Sequence, residues 1–223
     1  MESIHKIPVH EAFAVKDGCP VCRLFERYER NAVNILMTEG VMEPETRVAT
    51  NREGFCARHI EMITARKDSL SLALLMSSRI KETEKLFSEC KTPFGDGYSA
   101  KKLQKAAVEV TDGCYICDGL TKLMRECAEA ISMIYGEEEE FRKQFREQEF
   151  FCMTHTRLLL ENIRLPSKTV NVYAGDIKKV NSAYAEKLIS ELNAYSESFD
   201  YRNRGADVSV TKGAGERAGK FLK

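Results

Sequence analysis

Asp17-Gly18-Cys19-Pro20-Val21-Cys22 returns in the middle of the chain as Asp112-Gly113-Cys114-Tyr115-Ile116-Cys117. Each pair is answered downstream by a second couplet, Phe55-Cys56-Ala57-Arg58-His59 after the first and Phe151-Cys152-Met153-Thr154-His155 after the second. Cys22 to Cys56 spans 34 positions and Cys117 to Cys152 spans 35, while the spacing inside each couplet is identical. The chain therefore states one motif twice, and the intervals between couplets are the length of a helix and its connections.

Working outward from these anchors, the apolar positions fall at helical spacing. Val21, Phe25, Tyr28, Ala32, Ile35 and Leu36 recur every three to four residues, which predicts a helix from about Pro20 to Thr38 with Arg23, Glu26, Arg27, Glu29 and Arg30 on its polar side. Pro20 suits the first turn, where a missing N–H has no helical partner to lose. A short helix is expected from Pro44 to about Asn51, a third from Phe55 carrying the couplet, and a longer one from Ser69 to Cys90. Lys91-Thr92-Pro93-Phe94-Gly95-Asp96-Gly97 reads as a linker.

The second copy repeats the order. Leu120, Leu123, Met124, Cys127, Ile131 and Ile134 mark its first helix, Glu137 to Gln148 the short one and Phe151 to Ile163 the helix bearing the couplet. Tyr173, Ile177, Val180, Tyr184, Leu188, Leu192, Tyr195 and Phe199 mark the long one. Nothing reads as a strand. The expected fold is all-α: two pseudo-repeated helical halves, each with a Cys3His metal site. The halves are residues 1–92 and, after the linker, 93–204, followed by a flexible tail over 205–223 whose text is small and polar.

The chemistry follows from the residue types. A structural zinc takes four thiolate or imidazole ligands in a tetrahedron, commonly from two separated couplets. Cys-x-x-Cys brings two sulfurs to one side of a turn, and Cys-x-x-His at i and i+3 puts sulfur and ring nitrogen on one helix face. Local pairing gives Cys19, Cys22, Cys56 and His59 as one site and Cys114, Cys117, Cys152 and His155 as the other. A helix start favours the thiolate form, and Arg23, Arg58 and Arg157 stand near enough in sequence to offset the net negative charge of three thiolates on a divalent ion. Two zinc ions are expected, with iron as the alternative.

Other readings compete for the same residues. Cysteine is also a small buried hydrophobe, but matched spacing in both halves goes beyond what packing requires. Cys19 and Cys22 at a helix start could cycle between dithiol and disulfide as a redox enzyme or sensor, although the strand–helix setting of a thioredoxin is missing. Cys127 reads as core, Cys90 has no assigned role, and His5 and His10, without an echo, read as surface or lead-in residues. No phosphate loop, Gly-x-Ser-x-Gly elbow or His-Glu-x-x-His helix occurs, so no catalytic residue is nominated and a non-enzymatic scaffold for a protein partner is the leading function.

Lys plus Arg and Asp plus Glu balance at 34 each, which disfavours nucleic acid and leaves a regulator of that kind resting on a local face such as Lys101, Lys102 and Lys105. No stretch has the roughly 20 apolar residues of a membrane span, and the first residues lack a signal-peptide run, so a cytoplasmic protein is expected. Ile7-Pro8-Val9-His10-Glu11-Ala12-Phe13, the Cys-Pro-x-Cys, Gly54-Phe55-Cys56-Ala57-Arg58-His59 and Phe199-Asp200-Tyr201-Arg202-Asn203 together resemble an uncharacterised bacterial family, chiefly of anaerobic Gram-positive species and of unknown function. The resemblance spans nearly the whole chain. It implies a cytoplasmic bacterial protein and no established activity; the tail of that family often carries tryptophan, and this chain has none.

Overall fold

The computed structural model describes residues 4–93, 97–199 and 211–223. Helices account for the repeat as the periodicity predicts. The first copy supplies α2 (Pro20–Thr38), α3 (Pro44–Glu53), α4 (Ala57–Thr64) and α5 (Ser69–Ser88), and the second supplies α7 (Tyr115–Glu137), α8 (Glu139–Arg146), α9 (Met153–Glu161) and α10 (Ser167–Glu197). Three further helices lie outside the repeat: α1 (Lys6–Ala14), α6 (Ala100–Thr111) and α11 (Ala214–Leu222). No strand forms among the described residues; a single antiparallel bridge between Lys91 and Tyr98 closes the linker.

Local chemistry sets the helix ends. Asp68 accepts from the Ser71 N–H to start α5, and Ser99 accepts from the Lys102 N–H to start α6, each satisfying a donor that has no partner inside the helix. Pro20 and Pro44 occupy the first positions of α2 and α3. The acidic run is divided between two helices: Glu137 ends α7, Glu138 is the N-cap of α8, and Glu139 and Glu140 lie in the first turn of α8 at its positive end.

The chain forms two compact units. The first combines residues 1–26 with 123–223, and the second is residues 27–122, so the unit boundaries fall inside α2 and α7 rather than in the linker. In the first unit an aromatic core surrounds Phe145, whose ring centroid lies 4.8 Å from Phe151, 5.1 Å from Tyr173 and 5.2 Å from Tyr135. The buried Asp176 is answered in place: it accepts from Tyr135 Oη and from Arg146 Nε, both at 2.6 Å. In the second unit the core is mainly aliphatic, with Val33, Leu36, Met37, Ile63 and Leu75 buried. There Arg79 donates to the carbonyls of Asn51 and Val110, closing the last turns of α3 and α6.

Three expectations need correction. The tail is not loose throughout: Ala214 to Leu222 is a helix whose Phe221 packs on Phe150 and Tyr184, while Arg217 pairs with Glu191 at 2.5 Å. Residues 205–210 of the expected tail, like Asp200 to Asn203 of the family motif, lie outside the described residues. His5 is buried rather than superficial, with Nδ1 3.6 Å from Cys127 Sγ. The α10 stripe is core only as far as Leu188; Tyr195 and Phe199 are 38% and 74% exposed.

Phe145 fills the centre of the first unit and is fully buried. Truncation by Phe145→Ala should cost about 3–5 kcal/mol in chemical denaturation, whereas Ile35→Ala on the exposed side of α2 should stay within about 0.5 kcal/mol. Equal costs for the two would contradict this core.

Candidate functional site

All eight residues singled out from the sequence converge in two groups of four, but not in the expected sets. Cys19 and Cys22 meet Cys152 and His155, and Cys56 and His59 meet Cys114 and Cys117. The local pairing read from the sequence is therefore wrong. Each Cys-x-x-Cys turn joins the couplet of the other copy, so that the first group lies wholly in the first unit and the second wholly in the second.

One positional rule covers every member. Cys19, Cys56, Cys114 and Cys152 immediately precede the first residues of α2, α4, α7 and α9, and Cys22, His59, Cys117 and His155 are the third residues of those helices. The N-cap and third positions lie on one side of a helix start, so each helix presents two donors together. Two helix starts meet in each group, and their partial positive charges favour sulfur in the thiolate form.

Backbone close approach makes the meeting feasible. Gly54, at φ 69°, ends α3 in a conformation that suits glycine, and its carbonyl accepts the Tyr115 N–H at 3.0 Å. A Cβ on Gly113 would stand 2.2 Å from the Glu53 carbonyl oxygen, so this close crossing of two backbones tolerates no side chain there. In the first unit Glu149 takes the Gly18 N–H at 2.7 Å and holds the corresponding turn.

The donor atoms fit a tetrahedral ion. Sulfur bonds of about 2.3 Å and nitrogen bonds of about 2.0–2.1 Å imply tetrahedron edges of about 3.8 Å between sulfurs and about 3.6 Å between sulfur and nitrogen. In the first group Cys22 and Cys152 sulfurs are 3.6 Å apart, and His155 Nδ1 lies 3.7, 3.2 and 3.2 Å from Cys19, Cys22 and Cys152. In the second, Cys56 and Cys117 sulfurs are 3.8 Å apart, and His59 Nδ1 lies 3.3, 3.2 and 3.4 Å from Cys56, Cys114 and Cys117. All four donors of each group lie within 4.8 Å of one another.

Crowding divides the sulfurs electrically. Hydrogen bonds from the Cys19 and Cys22 thiols hold Cys152 far below the usual thiol range, while Cys22 is pushed far up by its bonds to Cys152 and Cys19 and by burial. Burial lowers His155, but the Cys152 and Cys19 sulfurs outweigh it and raise the imidazole to about 9. In the second group burial and then the Cys114 thiol push Cys117 to about 12. Burial also opposes ionisation of Cys56, yet the His59 backbone N–H and the neighbouring thiols bring it below the usual range. Three sulfurs so close together carry negative charge at once only beside a cation.

Of the three arginines expected to offset that charge, Arg58 is tied to a group through a buried carboxylate. It donates through Nε and Nη2 to the buried Glu29 at 2.8 and 2.5 Å, and Glu29 Oε1 lies 3.3 Å from His59 Nε2. Arg23 donates to the carbonyls of Ala12 and Asp17, and Arg157 faces Glu161 at 3.8 Å on the surface. Glu29 was assigned to the polar side of α2, yet it is 3% exposed. The signal was the alternative stripe Leu24, Glu29, Val33, Leu36 and Met37, which is the buried one.

A family model described as Family of unknown function (DUF6062) matches residues 1–223. The chain belongs to that family. No curated protein and no solved structure matches it. Among the described residues no helix is long and apolar enough to cross a membrane.

The cross-copy grouping has a direct test. Mild oxidation of metal-free protein with diamide, followed by peptide mapping, should yield Cys22–Cys152 and Cys56–Cys117 bridges. Bridges from Cys22 to Cys56 and from Cys117 to Cys152, the local sets, would contradict the geometry.

Proposed function

We propose that this chain is a zinc-binding, non-enzymatic helical protein whose two Cys3His centres hold helix starts together and stabilise a surface for a protein partner. The observation that carries the reading is the donor geometry: three sulfurs and one Nδ1 per group, at the edges of a tetrahedron sized for zinc. Cys19, Cys22, Cys152 and His155 would hold one ion, and Cys56, His59, Cys114 and Cys117 the other. A bound divalent ion neutralises thiolate charge and adds binding free energy that is also folding free energy, on the order of 10 kcal/mol for a structural zinc. Iron, which also accepts thiolate ligands, is the alternative occupant.

Four protein donors complete the shell, which leaves no position for a reactive water while all four stay bound. That favours a scaffold over a hydrolytic centre. Cys19 and Cys22 each face His155 Nδ1, at 3.7 and 3.2 Å, an arrangement suited to a shared ligand set more than to a two-cysteine redox couple. Free thiols at all eight cysteines fit a reducing compartment, in keeping with the bacterial cytoplasm that the motif resemblance implies.

Protein purified without added metal should carry two zinc ions per chain by elemental analysis, and removing them with a strong chelator should lower the melting temperature sharply. Cys56→Ser or Cys152→Ser should destabilise by about 5 kcal/mol or more, a typical domain's whole stability, against about 1–2 kcal/mol for Cys90→Ser, whose buried thiol donates to the Leu86 carbonyl. A melting temperature unmoved by chelation, together with a thiol-exchange activity that Cys19→Ser or Cys22→Ser abolishes, would replace this reading with the redox one.

A further inference from the structure

The two groups share donors and spacing but not their surroundings. In the second unit Glu29, Arg58 and His59 form a chain: the guanidinium grips both carboxylate oxygens, and one of those oxygens stands 3.3 Å from His59 Nε2. His59 is 1% exposed, and its Nε2 is buried with no hydrogen bond of good geometry, so the Glu29 carboxylate beside it is the charged acceptor for a proton there. His59 Nδ1 meanwhile faces three sulfurs at 3.2–3.4 Å. The ring has one end toward the sulfurs and the other toward a fixed carboxylate.

The repeat shows that this chain is peculiar to one copy. Glu29 lies seven residues after Cys22, and the residue seven after Cys117 is Met124. Arg58 lies two residues after Cys56, and the residue two after Cys152 is Thr154. Both members of the charged pair are thus absent together from the other copy, where Met124 is buried and the Thr154 N–H is bonded to the Lys223 carbonyl at 2.9 Å. A buried carboxylate costs free energy unless it is paired, and a paired one so close to a ring nitrogen has a use that a packing residue such as Met124 lacks.

Resting on the reading of both groups as metal centres, we propose that Glu29 is a positioning residue. It accepts from His59 Nε2–H, fixes the imidazole as an Nδ1 ligand and raises its basicity. Arg58 locks the carboxylate in register. The second unit's centre therefore depends on an outer carboxylate and the first unit's centre does not.

The test uses the full-length zinc-loaded protein, titrated with a chromophoric chelator. Glu29→Gln should weaken one of the two zinc ions by about 10- to 100-fold and leave the other unchanged. Glu29→Met with Arg58→Thr, which installs the other copy's residues, should act on the same ion, and Glu29→Asp, which keeps the carboxylate, should recover most of the loss. Long-range proton–nitrogen correlation should find the His59 proton on Nε2, slow to exchange in the natural protein and fast in Glu29→Gln. Two zinc ions bound by the natural protein, with affinities and His59 exchange untouched by Glu29→Gln, would overturn the role of Glu29 and leave the metal centres standing. A natural protein that takes up no zinc would overturn both. Should Glu29→Gln fail to fold, the Glu29→Met, Arg58→Thr double variant decides by the same two readouts, with unchanged zinc affinities and an unchanged Nε2 exchange rate counting against the proposal.

Discussion

Helix starts carry unpaired N–H groups and partial positive charge, and two of them brought together repel unless something negative lies between. In each unit of this protein that something is a trio of cysteine sulfurs, at the N-cap and third positions of α2 and α9 in one unit and of α4 and α7 in the other. The sulfurs answer the dipoles, but three of them within 4.8 Å cannot all ionise without a cation. The rest of each unit is arranged so that these starts can meet: the glycine crossing at Gly113 and Gly54 in one, and in the other the Glu149 contact to the Gly18 turn and the Lys223 carbonyl that takes the Thr154 N–H.

Around that shared device the two units are built from different materials. The first has a dense aromatic core and packs α11 against α9, where the carbonyl of Lys223, just past α11, takes the Thr154 N–H. The second has a smaller aliphatic core and invests in charge instead, with Arg79 capping two helices and Arg58 holding a buried Glu29 against His59. A duplicated motif has kept its donors while each copy acquired its own means of holding them in place, which is the pattern expected when the donors matter more than any one neighbouring contact.

Much of this was legible in the residues. The ends of α2 follow from Pro20 and the apolar period, and the spacing alone singles out the eight cysteines and histidines that converge in two groups. The pairing was not legible, since both combinations satisfy the same spacing rules. Joining Cys22 to Cys152 instead of Cys56 costs only about 1 kcal/mol more in loop closure, too little to decide the matter against packing. Glu29 was missed because a charge inside a buried stripe looks like a break in it, and only its partners Arg58 and His59 explain its burial. The helix α11 was not legible because Gly213, Gly215 and Gly219 give the stretch poor intrinsic propensity; its order comes from Phe221 and Arg217 finding partners elsewhere in the unit.

The account stands or falls on what the two groups of donors hold. X-ray absorption at the zinc edge, on protein purified without added metal, reads the ligand shell directly. The predicted result is an average of three sulfurs at about 2.3 Å and one nitrogen at about 2.0–2.1 Å per ion, with no added oxygen shell. A shell of four sulfurs, a shell dominated by oxygen and nitrogen, or no zinc or iron edge at all would contradict it.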